Sequence, residues 1–154
     1  MNNNSNKIFI KISDLFLNYW KFYLKFYYWN GYTEKDIASY YIINTIFTSY
    51  LAEIGLKALL AYESGTICHG HCIDELFIKL HPQTQEVIAH DMGYKIHELL
   101  KKLKENRNHF SHWRYYYELK CNQVDIKLME SLLNTIYVSI IYLRKKEPFK
   151  KDEI

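Results

Sequence analysis

NTIFTSYLAEIGLKALLAYESG, residues 44 to 65, carries charge only at Glu53, Lys57 and Glu63 and is otherwise dominated by apolar side chains on helical spacing. No proline interrupts it, and Ser64-Gly65 supplies a stop, so it predicts the body of a long helix ending near Glu63. Thr33 with Asp36 three residues on reads as the capping pair that opens that helix. Glu53 and Lys57 are four apart. Such a pair on a solvated face contributes only ~0.2–0.5 kcal/mol. Here Leu51, Ile54, Leu56, Leu59 and Leu60 crowd around it, which predicts a partly buried ion pair supporting the fold or a partner.

Working outward, helix periodicity persists and strand alternation is scarce. Only five glycines and two prolines punctuate 154 residues, so the fold class is all-α. A first helix is expected from about Ser13 to Trp29, ending at Asn30-Gly31, with Asp14, Asn18, Lys21 and Lys25 as its polar stripe. A loop, TICHGH, leads to a brief helix near Ile73 to Leu80, and His81-Pro82 breaks the pattern. From Gln85 to about Lys104 one helix is predicted, with Ile88, Met92, Ile96, Leu99, Leu100 and Leu103 on one face. Asn106 or its neighbours interrupt it, and helix resumes through RNHFSHWRYYYEL. After a turn at Cys121-Asn122, a last helix runs from about Val124 to Lys145. The expected architecture is one domain over residues 1–154, a bundle of about four long helices plus a short one.

Composition narrows the partners. A net charge of +3 permits contact with RNA phosphates without demanding it. The three cysteines, Cys68, Cys72 and Cys121, are too few for a disulfide scaffold, and MNNNSN does not read as a signal peptide, so a reduced cytoplasmic protein is expected. The longest uncharged run, Ile37 to Ala52, is shorter than the ~20 residues of a membrane span, and no membrane partner is expected. Cys68-His69-Gly70-His71-Cys72 holds four zinc-type donors, but in one tight loop rather than on separated knuckles. The plainer reading has His71 capping or docking the following helix.

The richest chemistry lies in ENRNHFSHWRYYY, residues 105 to 117, with two of the chain's three arginines, two histidines and five aromatic rings. RNA carries its own nucleophile, the 2′-hydroxyl. Cleavage needs a base for its proton, an acid for the leaving 5′-oxygen and a cation on the phosphorane. Histidine serves either proton role near neutral pH, arginine's planar fork matches phosphate oxygens, and an adjacent asparagine orients them. On one ideal helix Arg107 and His112 sit about 140° apart. They converge only if Arg107 lies at a helix start or kink, or if two protomers meet.

Arg107-Asn108-His109-Phe110-Ser111-His112 resembles the Arg-polar-spacer-His signature of HEPN domains, an all-helical family that includes prokaryotic toxin, antiphage and CRISPR-associated ribonucleases. Two further segments are similar to that family. One is residues 44 to 65, with Glu53 and Lys57 in its Glu-then-Lys-Ala-Leu-Leu helix. The other is GHCIDELFIKL, which resembles a Gly-His-Asp-Leu segment, departs from it at Cys72-Ile73, and makes His71 part of a structural motif. The resemblance spans residues 40 to 145 and implies a homodimeric, metal-independent endoribonuclease without a cofactor. Carried over, it makes His112 the general acid/base, Arg107 the phosphate clamp and Asn108 the orienting residue. His109 and Arg114 match no required family position and stand, with Tyr115, only as candidate RNA contacts; an antitoxin or other regulatory protein is a candidate partner. Where nucleotidyltransferase-paired toxins carry a modified tyrosine, two residues beyond the motif histidine, this chain has Arg114. A non-catalytic HEPN-like module that binds RNA, a nucleotide or a protein is the alternative.

Overall fold

The computed structural model describes residues 3–28, 37–107 and 125–146. Six helices fill them: α1 (Asn3–Tyr27), α2 (Ile37–Ser64), α3 (Ile73–Ile78), α4 (Pro82–Asp91), α5 (Ile96–Glu105) and α6 (Ile126–Lys146). No strand occurs among the described residues, as the all-α reading expects. The Thr33–Asp36 capping pair, the Asn30-Gly31 stop, the helix expected through RNHFSHWRYYYEL and the Cys121-Asn122 turn lie outside them.

The second helix is central because it is apolar on nearly every side. From Leu51 to Ala61 every residue except Lys57 is buried, which leaves such a helix stable only when neighbours cover all its faces. α1, α6 and α3 do so. Gly55 sets how closely they come. A Cβ there would collide with Ile136 Cγ2 of α6 and lie 3.0 Å from the Phe16 ring of α1. Gly65, at φ 70°, ends α2 where the Ser64-Gly65 stop is expected.

α1 begins ten residues earlier than its periodicity suggests. Phe9, Phe16, Trp20 and Tyr23 form its buried stripe, and Phe9 packs edge-on against Tyr62 of α2 at 5.1 Å between ring centroids. That distant contact draws the polar N-terminal stretch into helix. Asp14, Asn18, Lys21 and Lys25 are exposed, as their spacing predicts.

The single helix expected over residues 85–104 is two. His81 caps α4 and Pro82 occupies its first turn; the helix ends before Gly93, at φ 77°, and α5 starts where Glu98 reaches back to accept the Lys95 N–H at 3.0 Å. The correction gives three long helices, two of ten residues and one of six among the described residues. Ile88, Leu99 and Leu103 are buried all the same, because the break redirects the axis without moving the apolar face out of the core.

Leu128, Met129, Leu132, Leu133, Ile136 and Ile140 of α6 complete a single buried cluster drawn from all six helices. By length and composition α6 is also apolar enough to cross a membrane, although it lies outside the longest uncharged run; in this fold its apolar stripe packs into the core. Arg144, near its end, donates to Ser13 at 2.8 Å and pairs with Asp14, tying α6 to α1.

Candidate functional site

Glu53 lies in the most enclosed part of α2, 5% exposed. A carboxylate there requires a cation and hydrogen-bond donors. Lys57 Nζ lies 2.7 Å from Oε1, the partly buried pair the spacing predicts. His71 Nδ1 reaches the same oxygen at 3.0 Å. This corrects the expectation that His71 serves the following helix: the N-cap of α3 is Cys72, with no side-chain cap bond, and His71 turns back to α2. The physical reason is that a buried anion is a stronger attractor than a helix end that water can solvate. Glu53 Oε2 is buried and meets no donor among the described residues, an omission that costs about 1–3 kcal/mol.

Three residues beyond His71, Asp74 sits in the first turn of α3 and is 3% exposed. Arg107 is its counter-ion. Nε lies 3.2 Å from Oδ1 and Nη2 2.8 Å from Oδ2, while Nη2 also lies 2.8 Å from Glu75 Oε1. The hydrogen bonds and charge of Asp74, then the nearby Cys72 and Glu75, push the guanidinium pKa above its ordinary value. The fork that grips these carboxylates has the geometry that grips a phosphate. The acids therefore orient Arg107 and occupy its Nε and Nη2, leaving Nη1 without a partner among the described residues.

Arg107 is set off the helix by its neighbour. Asn106 ends α5: its Nδ2 donates to Lys102 O at 2.7 Å, and its Oδ1 accepts the Asp125 N–H at 3.2 Å. Asp125 in turn caps α6 by accepting the Leu128 N–H at 2.9 Å. α5 and α6 are thus pinned together on either side of residues 108–124, and Arg107 leaves the bundle at that pin, in a turn. Asn108, His109, His112, Arg114 and Tyr115 lie outside the described residues.

Glu53, Lys57 and His71 form one hydrogen-bonded group, and Arg107 joins Asp74 and Glu75 in another. Residues 71–74 link the two. Sequence reasoning missed Asp74, Glu75 and Asn106 as the partners that hold this arrangement. The one available signal was the acidic Asp74-Glu75 pair two positions beyond Cys72. Lys79 secures the rest of the loop, donating to His69 O at 3.5 Å. Among the described residues no three His, Cys, Asp or Glu side chains are placed to share a metal ion.

A cleft of about 360 Å³ opens elsewhere, between Leu59, Tyr62, Glu63, His81, Thr84 and Leu143. Its carboxylate is already engaged. Glu63 accepts the His81 N–H at 2.8 Å and the Thr84 hydroxyl, bracing α4 against the end of α2. Comparison with protein-family models, curated proteins and solved structures finds no match to the chain.

Proposed function

We infer that the chain is a metal-independent endoribonuclease of the HEPN type, a cytoplasmic homodimer acting as a toxin or antiphage effector. The observation that carries the reading is convergence. Segments far apart in sequence, each similar to the family on its own, supply Glu53, Lys57 and His71 to one group and Arg107 to its neighbour. In this reading Arg107 binds the phosphate and stabilises charge on the phosphorane, Asn108 orients the reactants and His112 moves a proton. His109, Arg114 and Tyr115 contact the strand. The second protomer brings its own motif to the shared cleft.

The experiment compares RNA cleavage by wild type, Arg107→Ala and His112→Ala with EDTA present. Wild type cuts and both variants lose cutting. If EDTA abolishes cleavage while both variants stay active, the mechanism is wrong. Mass in solution tests the dimer.

One observation favours the second reading, a HEPN-like module that binds RNA, a nucleotide or a protein without cutting. Asp74 and Glu75 take Nε and Nη2 of Arg107, so only Nη1 is open to an anion, and a two-point grip on phosphate through Nε and Nη2 requires displacing them. RNA binding that survives in His112→Ala, with no product under any condition, selects that reading.

A further inference from the structure

One side of α1 is buried and another is open. Phe9, Phe16, Trp20 and Tyr23 face the core, whereas Leu15 is 45% and Phe22 56% exposed. Leu15, Tyr19, Phe22 and Phe26 recur at steps of four, three and four, which places them on one flank of the helix. Ile43, Phe47 and Tyr50 make the matching stripe on α2. Rings join the two stripes: Tyr19 meets Tyr50 at 5.6 Å, and Phe22 and Phe26 each meet Phe47 at 5.7 Å between centroids. Soluble proteins scatter their exposed apolar side chains singly. Here they run together for about 16 Å along α1.

The free charge beside this surface has one sign. Lys7, Lys11 and Lys25 are exposed and lie within about 80° of Leu15 on an ideal helix, on the side away from the core. Lys21 is exposed as well. The helix has a single acid, Asp14, and Arg144 pairs with it. α2 carries no charge from Ile37 to Ala52, and Glu130, reaching α2 from α6, is engaged by Asn44 Nδ2 at 2.9 Å. The occupant is therefore anionic and offers apolar depth. Single-stranded RNA has the charge, but its bases need free ring faces to stack on. These rings pack on one another, and Leu15 and Ile43 have no ring at all. A second copy of the chain would bring lysine against lysine. A bilayer interface takes aliphatic and aromatic side chains alike, while lysine stems reach anionic headgroups.

We propose that the aromatic face of α1 and α2 docks on a bilayer leaflet rich in anionic lipid. Leu15, Tyr19, Phe22 and Ile43 enter the headgroup region, and Lys7, Lys11 and Lys25 contact its phosphates and carboxylates. The contact lies on the membrane and does not cross it. It is independent of the ribonuclease reading, since its residues belong to α1 and α2 while Arg107 follows α5.

The test is co-sedimentation of the full chain with vesicles of phosphatidylcholine alone or with about a third phosphatidylserine, at about 0.1 and 0.5 M salt. Wild type is expected to bind the anionic vesicles at low salt at least about tenfold more tightly than phosphatidylcholine, and to be released at high salt. Leu15→Ser/Phe22→Ser and Lys11→Glu/Lys25→Glu should each weaken that binding about tenfold or more, whereas Phe22→Trp keeps it. All four side chains are exposed, and circular dichroism checks that each variant keeps its helices. The wild-type comparison of the two vesicle types needs no variant. Equal binding to both, or to neither, overturns the proposal, as does unchanged binding by folded Leu15→Ser/Phe22→Ser. If wild type leaves vesicles unbound, retention of an oligouridylate that Leu15→Ser/Phe22→Ser loses assigns the face to RNA, and a halved solution mass in that variant assigns it to a second copy. In either case the proposal fails and the ribonuclease reading stands.

Discussion

Arg107 and Asp74, separated by 33 positions, form a two-point ion pair, with Nε 3.2 Å from Oδ1 and Nη2 2.8 Å from Oδ2. It fastens the end of α5 to the first turn of α3. Because Asp74 is almost fully enclosed, the pair differs from surface ion pairs, and removing the cation alone strands a buried anion.

Arg107→Met should therefore lower the thermal unfolding midpoint, while Arg107→Met/Asp74→Asn recovers at least about half of the loss, since neighbouring charges couple non-additively. A calorimetric double-mutant cycle measures this. A double variant no more stable than the single one would show that the pair has no structural role.

Gly55 is where α1, α2 and α6 converge, and an added methyl meets Ile136 and Phe16. Gly55→Ala is expected to destabilise by about 1–3 kcal/mol through overpacking, despite alanine's better helix propensity. Urea unfolding gives the number; a change under about 0.5 kcal/mol would mean that the helices separate easily.

Asn106 bridges α5 to the start of α6 through Lys102 O and the Asp125 N–H. Alanine there leaves both groups without their partner, at a cost of about 1–3 kcal/mol. Faster hydrogen exchange at the Asp125 amide should accompany the loss, and an unchanged rate would contradict the bridge.

Tyr23 is held protonated, its pKa raised by burial and then by Glu130; Glu130 also raises Tyr27, and burial raises Tyr50. A folded-state pKa above the unfolded value of ~10 means stability is fully present below that pH and declines as pH rises toward the folded values. Unfolding midpoints between about pH 9 and 11 should fall, and Tyr23→Phe should shrink the fall. An identical alkaline slope in wild type and Tyr23→Phe would exclude Tyr23 as a source.

Local signals carried much of the fold. The Ser64-Gly65 stop, the last helix over residues 126–146 and the Glu53–Lys57 pair were all legible, because each depends on neighbours within a few positions. What depends on distant contacts was not. The early start of α1 follows from Phe9 meeting Tyr62, and polar MNNNSN does not announce it. The split between α4 and α5 escaped because the apolar face continues across Gly93. At the candidate site, residue types and a resemblance pointed to Glu53, Lys57, His71 and Arg107, yet no spacing rule could bring Asp74 to Arg107 or turn His71 toward Glu53.

Cleavage chemistry tests the central claim most directly. A DNA oligonucleotide with ribose at one position, incubated with wild type in EDTA, should be cut only after that residue, leaving a 2′,3′-cyclic phosphate and a 5′-hydroxyl, and the all-deoxy control should stay whole. Equal cutting of the control, or no cutting of any ribose-containing substrate, would contradict the account.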